Sequence, residues 1–422
     1  MKKVFYFVAL LLLTLSVRAQ NDGKEKSFGI NFSGFVKNDI FYDTRQTISI
    51  REGHFLLYPA KFEADKNGDD INASPGFNIL AIQTRLTGKI TGPDAFGAKT
   101  SGMIEGAFFG HTDADINGFR LRHAFVKLNW EQTELLFGQF WHPMFNTACF
   151  PEVISFNTGV PFQPFSRNPQ IRMTYSLGNL KFSATALSQR DFASPDVTNA
   201  AGKVIYTGSQ TLRNSYIPEF QGQLFFNKKD AESGKEILAG MGGGYKTLVP
   251  RLVTDSNYIA NESVGSYNTE AYFKISVPAI TIKLLGTYGQ NTYDVTGIGS
   301  YAVTRVSDSM TNQREYAPLN TVAGWLEIMT NGTKIQAGLF AGYTKNLGAG
   351  KNVTSTYFGT RSKVDYVYRI SPRVIYKSGK TQFALELEYT TAAHGDFGPQ
   401  GEVINSKEVS NVRVLFGTYY FF

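Results

Sequence analysis

The chain has 422 residues, 18% of them charged and 42% hydrophobic, and it is rich in Phe (34), Tyr (22) and Gly (41). Its formal charge of +7 reflects 42 Lys and Arg against 35 Asp and Glu, and three of the basic residues (Lys2, Lys3 and Arg18) belong to the N-terminal leader. The surplus that remains is small and dispersed, which argues against a nucleic-acid partner. The single Cys149 excludes an internal disulfide, and no second Cys or nearby His pair supports a metal site.

Residues 1–19 read as a secretory signal peptide: Lys2 and Lys3, an apolar run from Val4 to Val17, then Val17-Arg18-Ala19 at the cleavage point. That run is shorter than the roughly 20 residues a spanning helix needs, and no later stretch is long and apolar enough. If the exported chain enters a membrane, it must be as a closed barrel, the other way to satisfy backbone groups in lipid.

From residue 28 onward the apolar residues recur with period 2. In the first predicted strand Phe28, Ile30, Phe32, Val36 and Ile40 alternate with Asn31, Ser33, Lys37 and Asp39. In the second, Leu80, Ile82, Leu86 and Ile90 oppose Gln83, Arg85, Thr87 and Lys89. The third carries Glu105. The fourth is ambiguous in phase, since Arg120 and Arg122 share a face with Ala124, Val126, Leu128 and Trp130, while His123, Lys127 and Asn129 share the other. The phase that puts His123 and Lys127 in the lumen places both arginines at the external rim; the opposite phase is the alternative. Further strands follow at Gln170 to Ser176, Glu219 to Phe226, Asp365 to Lys377 and Gln382 to Tyr389. The last runs through Val412, Val414, Phe416 and Tyr420 to the terminal Phe422, a pattern suited to a lipid face ending in an aromatic girdle.

Tight turns at Glu131-Gln132, Gly178-Asn179, Pro278-Ala279, Asn331-Gly332 and Ser378-Gly379-Lys380 alternate with long polar connections, the last expected over Ala393 to Lys407. Short inner turns and long outer loops are the habit of transmembrane barrels, and about sixteen strands are expected. The fold class is therefore an all-β antiparallel transmembrane barrel over residues 20–422. The connection Met144 to Arg167 stands apart. It is rich in Phe and Pro where the other long loops are rich in Ser, Thr, Asn and Gly. A loop so apolar packs against something: it is expected to fold into the barrel and narrow it, or else to cover the rim or meet a neighbouring subunit. Its apparent acid is Glu152.

The segments Gly34-Phe35-Val36-Lys37-Asn38-Asp39, Thr84-Arg85-Leu86, Leu121-Arg122-His123-Ala124-Phe125-Val126, Leu136-Phe137-Gly138-Gln139 and Pro169-Gln170-Ile171-Arg172 resemble the DcaP-like group of sixteen-stranded trimeric porins. So does the order of five strands, a long inward loop and eleven more strands. These are short motifs spread over nearly the whole mature chain. The resemblance implies a homotrimer in a Gram-negative outer membrane and passive diffusion of small solutes. Members can carry an N-terminal periplasmic coiled coil; only Asn21 to Lys26 stands there, so that extension's function is expected to be absent.

Inward-facing Lys37, Arg85, Lys89, Arg172, Arg369, Arg373 and Arg413 are expected to line the pore, several of them on one basic wall facing Glu152, and such a wall sets ion preference. The bland alternative is that Asp39, Glu105, Glu219, Glu327, Glu386 and Glu388 balance them. The five histidines sit in no Gly-x-Ser-x-Gly or His-Glu-x-x-His setting, so no enzyme and no cofactor is expected. The sequence thus points to a water-filled channel for small anionic or polar solutes in contact with outer-membrane lipid. The alternative is a barrel whose external loops bind a ligand or another surface protein.

Overall fold

In the computed structural model, residues 28–111, 113–198, 202–354 and 356–422 are described; the expected leader lies outside them. Seventeen hydrogen-bonded segments form one closed antiparallel sheet. Two of them, Gly76–Leu80 and Arg85–Thr91, are halves of one interrupted strand, since both pair with Gly29–Asp43. Sixteen barrel strands result. The first to eighth are Gly29–Asp43, the interrupted pair, Lys99–Ala107, Arg120–Asn129, Thr133–Trp141, Arg167–Leu177, Leu180–Leu187 and Glu219–Asp230. The ninth to sixteenth are Lys235–Leu248, Val264–Ser276, Ile280–Gln290, Asn320–Thr330, Ile335–Gly348, Val364–Ser378, Thr381–Phe397 and Val403–Phe421. Each pairs with its predecessor, and the sixteenth closes on the first from Phe35 opposite Phe421 to Asp43 opposite Arg413.

The period-2 pattern explains why these segments are strands and which way they face. On the eighth strand Phe220 and Leu224 are exposed while Glu219, Gln221 and Gln223 are buried. The fourteenth exposes Ile370, Val374 and Tyr376 and buries Arg369, Ser371 and Arg373. Apolar outside and polar inside is the reverse of a soluble sheet, and it is stable only where hydrocarbon surrounds the barrel. That exterior makes this a transmembrane barrel. Among the described residues no helix is long and apolar enough to cross a membrane; the strands do the crossing.

Close approach decides two glycines. Gly138 has φ +130°, and a Cβ there would lie 2.2 Å from the Ala124 carbonyl oxygen. At Gly342 a Cβ would lie 2.4 Å from the Phe162 ring, so the wall is thinned where the apolar loop presses on it.

Inner turns are short, as at 130–132, 178–179 and 379–380, and outer connections are long. The last outer connection is an exception. It spans only 398–402, because the fifteenth and sixteenth strands run on as a hairpin to Phe397 and from Val403. The expected loop over Ala393 to Lys407 is therefore mostly strand. The alternation fails locally, since a register shift between His394 and Asp396 interrupts it, and a bulge of that kind hides a strand from a period-2 search. These strands, 17 and 19 residues long, exceed the roughly 9–11 needed to cross the hydrocarbon, so the hairpin projects beyond the membrane.

Candidate functional site at the barrel waist

Two of the external connections that reach the inward-facing side chains carry buried apolar segments. The first, 44–75, carries a hairpin of Thr47–Ile50 and Phe55–Pro59 whose second strand is wholly buried. The second is 142–166, the apolar connection after the fifth strand. It touches the wall in sequence. The Glu152 carboxylate meets Lys283 at 2.6 Å. The backbone N–H of Ile154 donates to Glu386 at 2.7 Å, and Asn157 donates to Glu388 at 2.8 Å. On the way back, the Val160 carbonyl accepts from Arg369 at 2.9 Å, and Trp325 donates to Gln163 at 2.9 Å. Phe156, Phe162 and Phe165 are buried among Phe55, Trp325 and Phe340. The many Phe and Pro residues are thus packed rather than displayed to water.

These contacts define what the predicted basic residues do. Lys37 lies 2.9 Å from Asp39 and donates to the Ile154 carbonyl at 2.8 Å. Arg373 pairs with Glu327 at 2.8 Å and Arg369 with Glu388 at 3.5 Å. Arg413 grips Asp43 through two nitrogens, at 2.6 and 3.0 Å, and also holds the Gly53 carbonyl at 2.7 Å. Arg369 reaches the Leu57 carbonyl at 2.9 Å. Lys37, Arg369 and Arg413 clamp the two inner segments, Arg373 pairs along the wall, and all four are balanced by acids, so the expected single basic wall opposite Glu152 is not what forms. Glu152 faces Lys283 on the eleventh strand, a residue outside the predicted set. The reason is energetic: a buried charge without a partner is several kcal/mol more costly than a paired one, and Asp39, Asp43, Glu327 and Glu388 stand on adjoining inward faces. Burial alone would raise the Glu152 pKa, but Lys283 overrides it and holds the carboxyl below its ordinary value.

The remaining predicted residues stand on the second, third, fourth and sixth strands. Glu105 is met by Arg122 at 2.8 Å, by Arg85 at 3.7 Å and by His123 at 3.8 Å. Arg120 pairs with Asp191 at 2.6 Å. Arg120 and Arg122 therefore face the interior, which corrects the rim placement. The cause is a register shift between Glu105 and Gly106: the fourth strand bulges there, and Arg122 and His123, adjacent in sequence, both turn inward. Lys127 pairs with Glu134 at 2.9 Å nearer the inner turn. Arg172 has no carboxylate partner among the described residues; it donates to the Trp141 carbonyl at 2.7 Å and lies over Phe140. Lys89 is exposed near the inner end of its strand.

Sequence reasoning missed an arginine cluster at the same level. Guanidinium groups of Arg51, Arg120, Arg122 and Arg167 surround the Phe109 ring at 4.1, 5.6, 5.7 and 5.6 Å. Arg167 meets Asp191 at 2.7 Å. Burial would raise the Asp191 pKa, but Arg167 and Arg120 bring it down to about 2. Nη1 atoms of Arg51, Arg122 and Arg167 lack a hydrogen-bond partner among the described residues. Arg51 and Asp191 lie in connections, where no periodicity marks a facing direction, so only the adjacency of Arg167 to the apolar loop could have hinted at the group.

Outside this layer, the external connections enclose a vestibule of about 1460 Å³ lined by Tyr58, Tyr293, Tyr357, Arg361 and Phe397 among others. Among the described residues no group of three or more His, Cys, Asp or Glu side chains is arranged to hold a metal.

No protein-family model and no curated protein matches the chain. Solved structures do. The outer membrane channel DcaP of Acinetobacter baumannii superposes with a TM-score of 0.64 at 18% identity, covering 96% of this chain and 100% of that one. The trimer form of OmpT from Vibrio cholerae gives 0.54 at 10% identity, with 94% and 100% covered. An anion-selective porin from Comamonas acidovorans gives 0.53 at 12%, again with 94% and 100% covered. The chain has the sixteen-stranded barrel fold of the DcaP-like outer-membrane porins.

Proposed function

We propose that the mature protein, residues 20–422 after loss of a signal peptide at 1–19, is an outer-membrane porin passing small hydrophilic solutes by passive diffusion. The observation that carries this reading is a closed sixteen-strand barrel with an apolar exterior and a polar interior. The side chains of Arg85, Lys127, Glu134 and Glu152 keep 23, 26, 32 and 48% of their surface open, which suits a hydrated passage. The segment 142–166 and the hairpin of 44–75 together narrow it. The protein works as a homotrimer, a reading supported by the trimeric state in the name of one similar structure, and it is not an enzyme.

A modest anion preference follows from the wall that holds Arg85, Arg122 and Arg172. There guanidinium groups outnumber carboxylates, and one similar structure is named as anion-selective. A unit charge a few ångströms from a passing ion contributes about 1–4 kcal/mol between the limits of water and a surface-like dielectric. Salt screens little at that range, since the Debye length is about 8 Å at physiological ionic strength. Purified protein in a planar bilayer should give discrete conductance steps. Substituting Arg85→Gln together with Arg172→Gln should move the zero-current potential in a salt gradient toward cations without abolishing conductance. An unchanged potential would defeat the preference, and the absence of any conductance would defeat the channel.

A second reading has its own observation. The aromatic vestibule sits above a waist of buried, ion-paired side chains, an arrangement also suited to capturing a ligand or partner from outside. Zero conductance together with saturable binding of a ligand at the vestibule would favour it.

A further inference from the structure

The outer wall is not uniformly convex. Between the sixth and ninth strands the lipid face holds a groove of about 590 Å³. Its floor is made of small residues (Ala184, Ala186, Gly222 and Gly243), and Ile171 and Tyr245 rise beside it. At Gly222 the floor is open: a Cβ built there meets nothing within 4 Å. The groove belongs to the external half of the wall. Ala186 is one residue from the outer end of the seventh strand, and Phe220 is one residue from the outer start of the eighth.

Exposed arginines stand on the connections that continue beyond its outer end. Along the seventh strand and its extension, exposure alternates through Ala184, Ser188 and the exposed Arg190, while Thr185, Leu187 and Gln189 are buried. The short helix Gly208–Arg213 is fastened over the end of the ninth strand, where Val249 donates to the Thr211 carbonyl at 2.9 Å. It ends on the exposed Arg213. From there Tyr216, 91% exposed, and Ile217 lead down into Phe220. A basic rim, an interfacial tyrosine and an apolar furrow thus follow one another from outside inward.

We propose that this groove is a binding site for the phosphorylated glycolipid of the outer leaflet. One acyl chain lies over Gly222 and Gly243, and a headgroup phosphate meets Arg190 and Arg213. Hydrocarbon must fill a furrow at this depth, and the arginines select an anionic headgroup over a zwitterionic one. The site is independent of whether the barrel conducts.

Folded wild-type protein is reconstituted in phosphatidylcholine nanodiscs containing lipid A and examined by native mass spectrometry. It should retain lipid A, and retention should fall at least tenfold in Gly222→Leu, which fills the furrow. It should fall similarly in Arg190→Glu with Arg213→Glu, which leaves the furrow intact. Gly286→Leu is the control, since Gly286 is also exposed and also open around its Cβ but lies on the eleventh strand; it should retain the lipid. Heat-modifiable migration on gels verifies that each barrel is closed. Undiminished lipid A in Gly222→Leu overturns the site, as does equal retention of phosphatidylglycerol in the wild type. A loss of oligomer with lipid unaffected reassigns the groove to a contact between copies of the chain.

Discussion

His54 fastens the buried hairpin to the first strand, its Nε2 lying 2.5 Å from Asp39. Burial drives its pKa from the ordinary 6.5 down to about 4, although the hydrogen bond to Asp39 pulls the other way. The folded protein therefore prefers the neutral imidazole. Its contribution is complete above about pH 6.5 and is lost as the pH falls toward 4, on the order of 3 kcal/mol in all. The denaturant midpoint of the reconstituted barrel should fall between pH 6.5 and 4.5, and His54→Gln should flatten part of that slope. Arg413 makes a second prediction. Replacing it with Met takes from Asp43 its cationic partner in the interior and should destabilise the barrel by roughly 3–5 kcal/mol, measured by the same unfolding curve. Residue types and facing were legible where alternation was clean, as at Arg369 and Arg373. They were not at Arg122, because a single bulge exchanges the two faces and leaves no mark in composition. Nor could pairing be read: which acid meets Arg413 depends on strands far apart in sequence.

Among the elements, the apolar character of 142–166 was visible because Phe and Pro are out of place in a solvated loop. The hairpin of 44–75 hides better. Its buried run is only His54 to Ala60, and charged residues on both sides give the whole connection an ordinary loop composition. Yet Phe55 and Leu56 are fully buried, and Phe55 packs against Phe156 and Phe165 at ring distances of 5.8 and 5.4 Å. Replacing Thr47–Pro59 by a short Gly-Ser bridge should raise single-channel conductance at least twofold. The same excision in the connection at 249–263, where Tyr258 and Ile259 are exposed, should leave conductance unchanged. Bilayer recordings of the two deletions side by side check this.

At the scale of the molecule, Phe422 extends the seam that closes the barrel. The Phe422 N–H donates to the Gly34 carbonyl and its carbonyl accepts from the Gly34 N–H, both at 3.1 Å. Its ring lies so near that a Cβ on Gly34 would come within 2.9 Å of it. Removing Phe422, or replacing it with Asp, should lower the amount of heat-modifiable barrel in outer-membrane fractions severalfold while leaving export intact, as judged by soluble periplasmic chain. The number of strands and their order were legible because turn lengths alternate. The projecting fifteenth and sixteenth strands were not, since a bulge breaks their period beyond the membrane.

The seam between the first and sixteenth strands also sets a clock. Thr418 reaches Asn38 across 380 positions of chain, whereas every other seam joins neighbours in sequence. Bringing such distant ends together costs about 3 kcal/mol more loop entropy than closing a ten-residue hairpin, so this pairing comes late, once the other strands have shortened the path. Until then the sheet has two bare edges, each a template for wrong partners. A ribosome that stalls before the final strand leaves a product with no closed form. Chains cut short of the sixteenth strand should therefore stay open to added protease, while chains that close the seam should resist it.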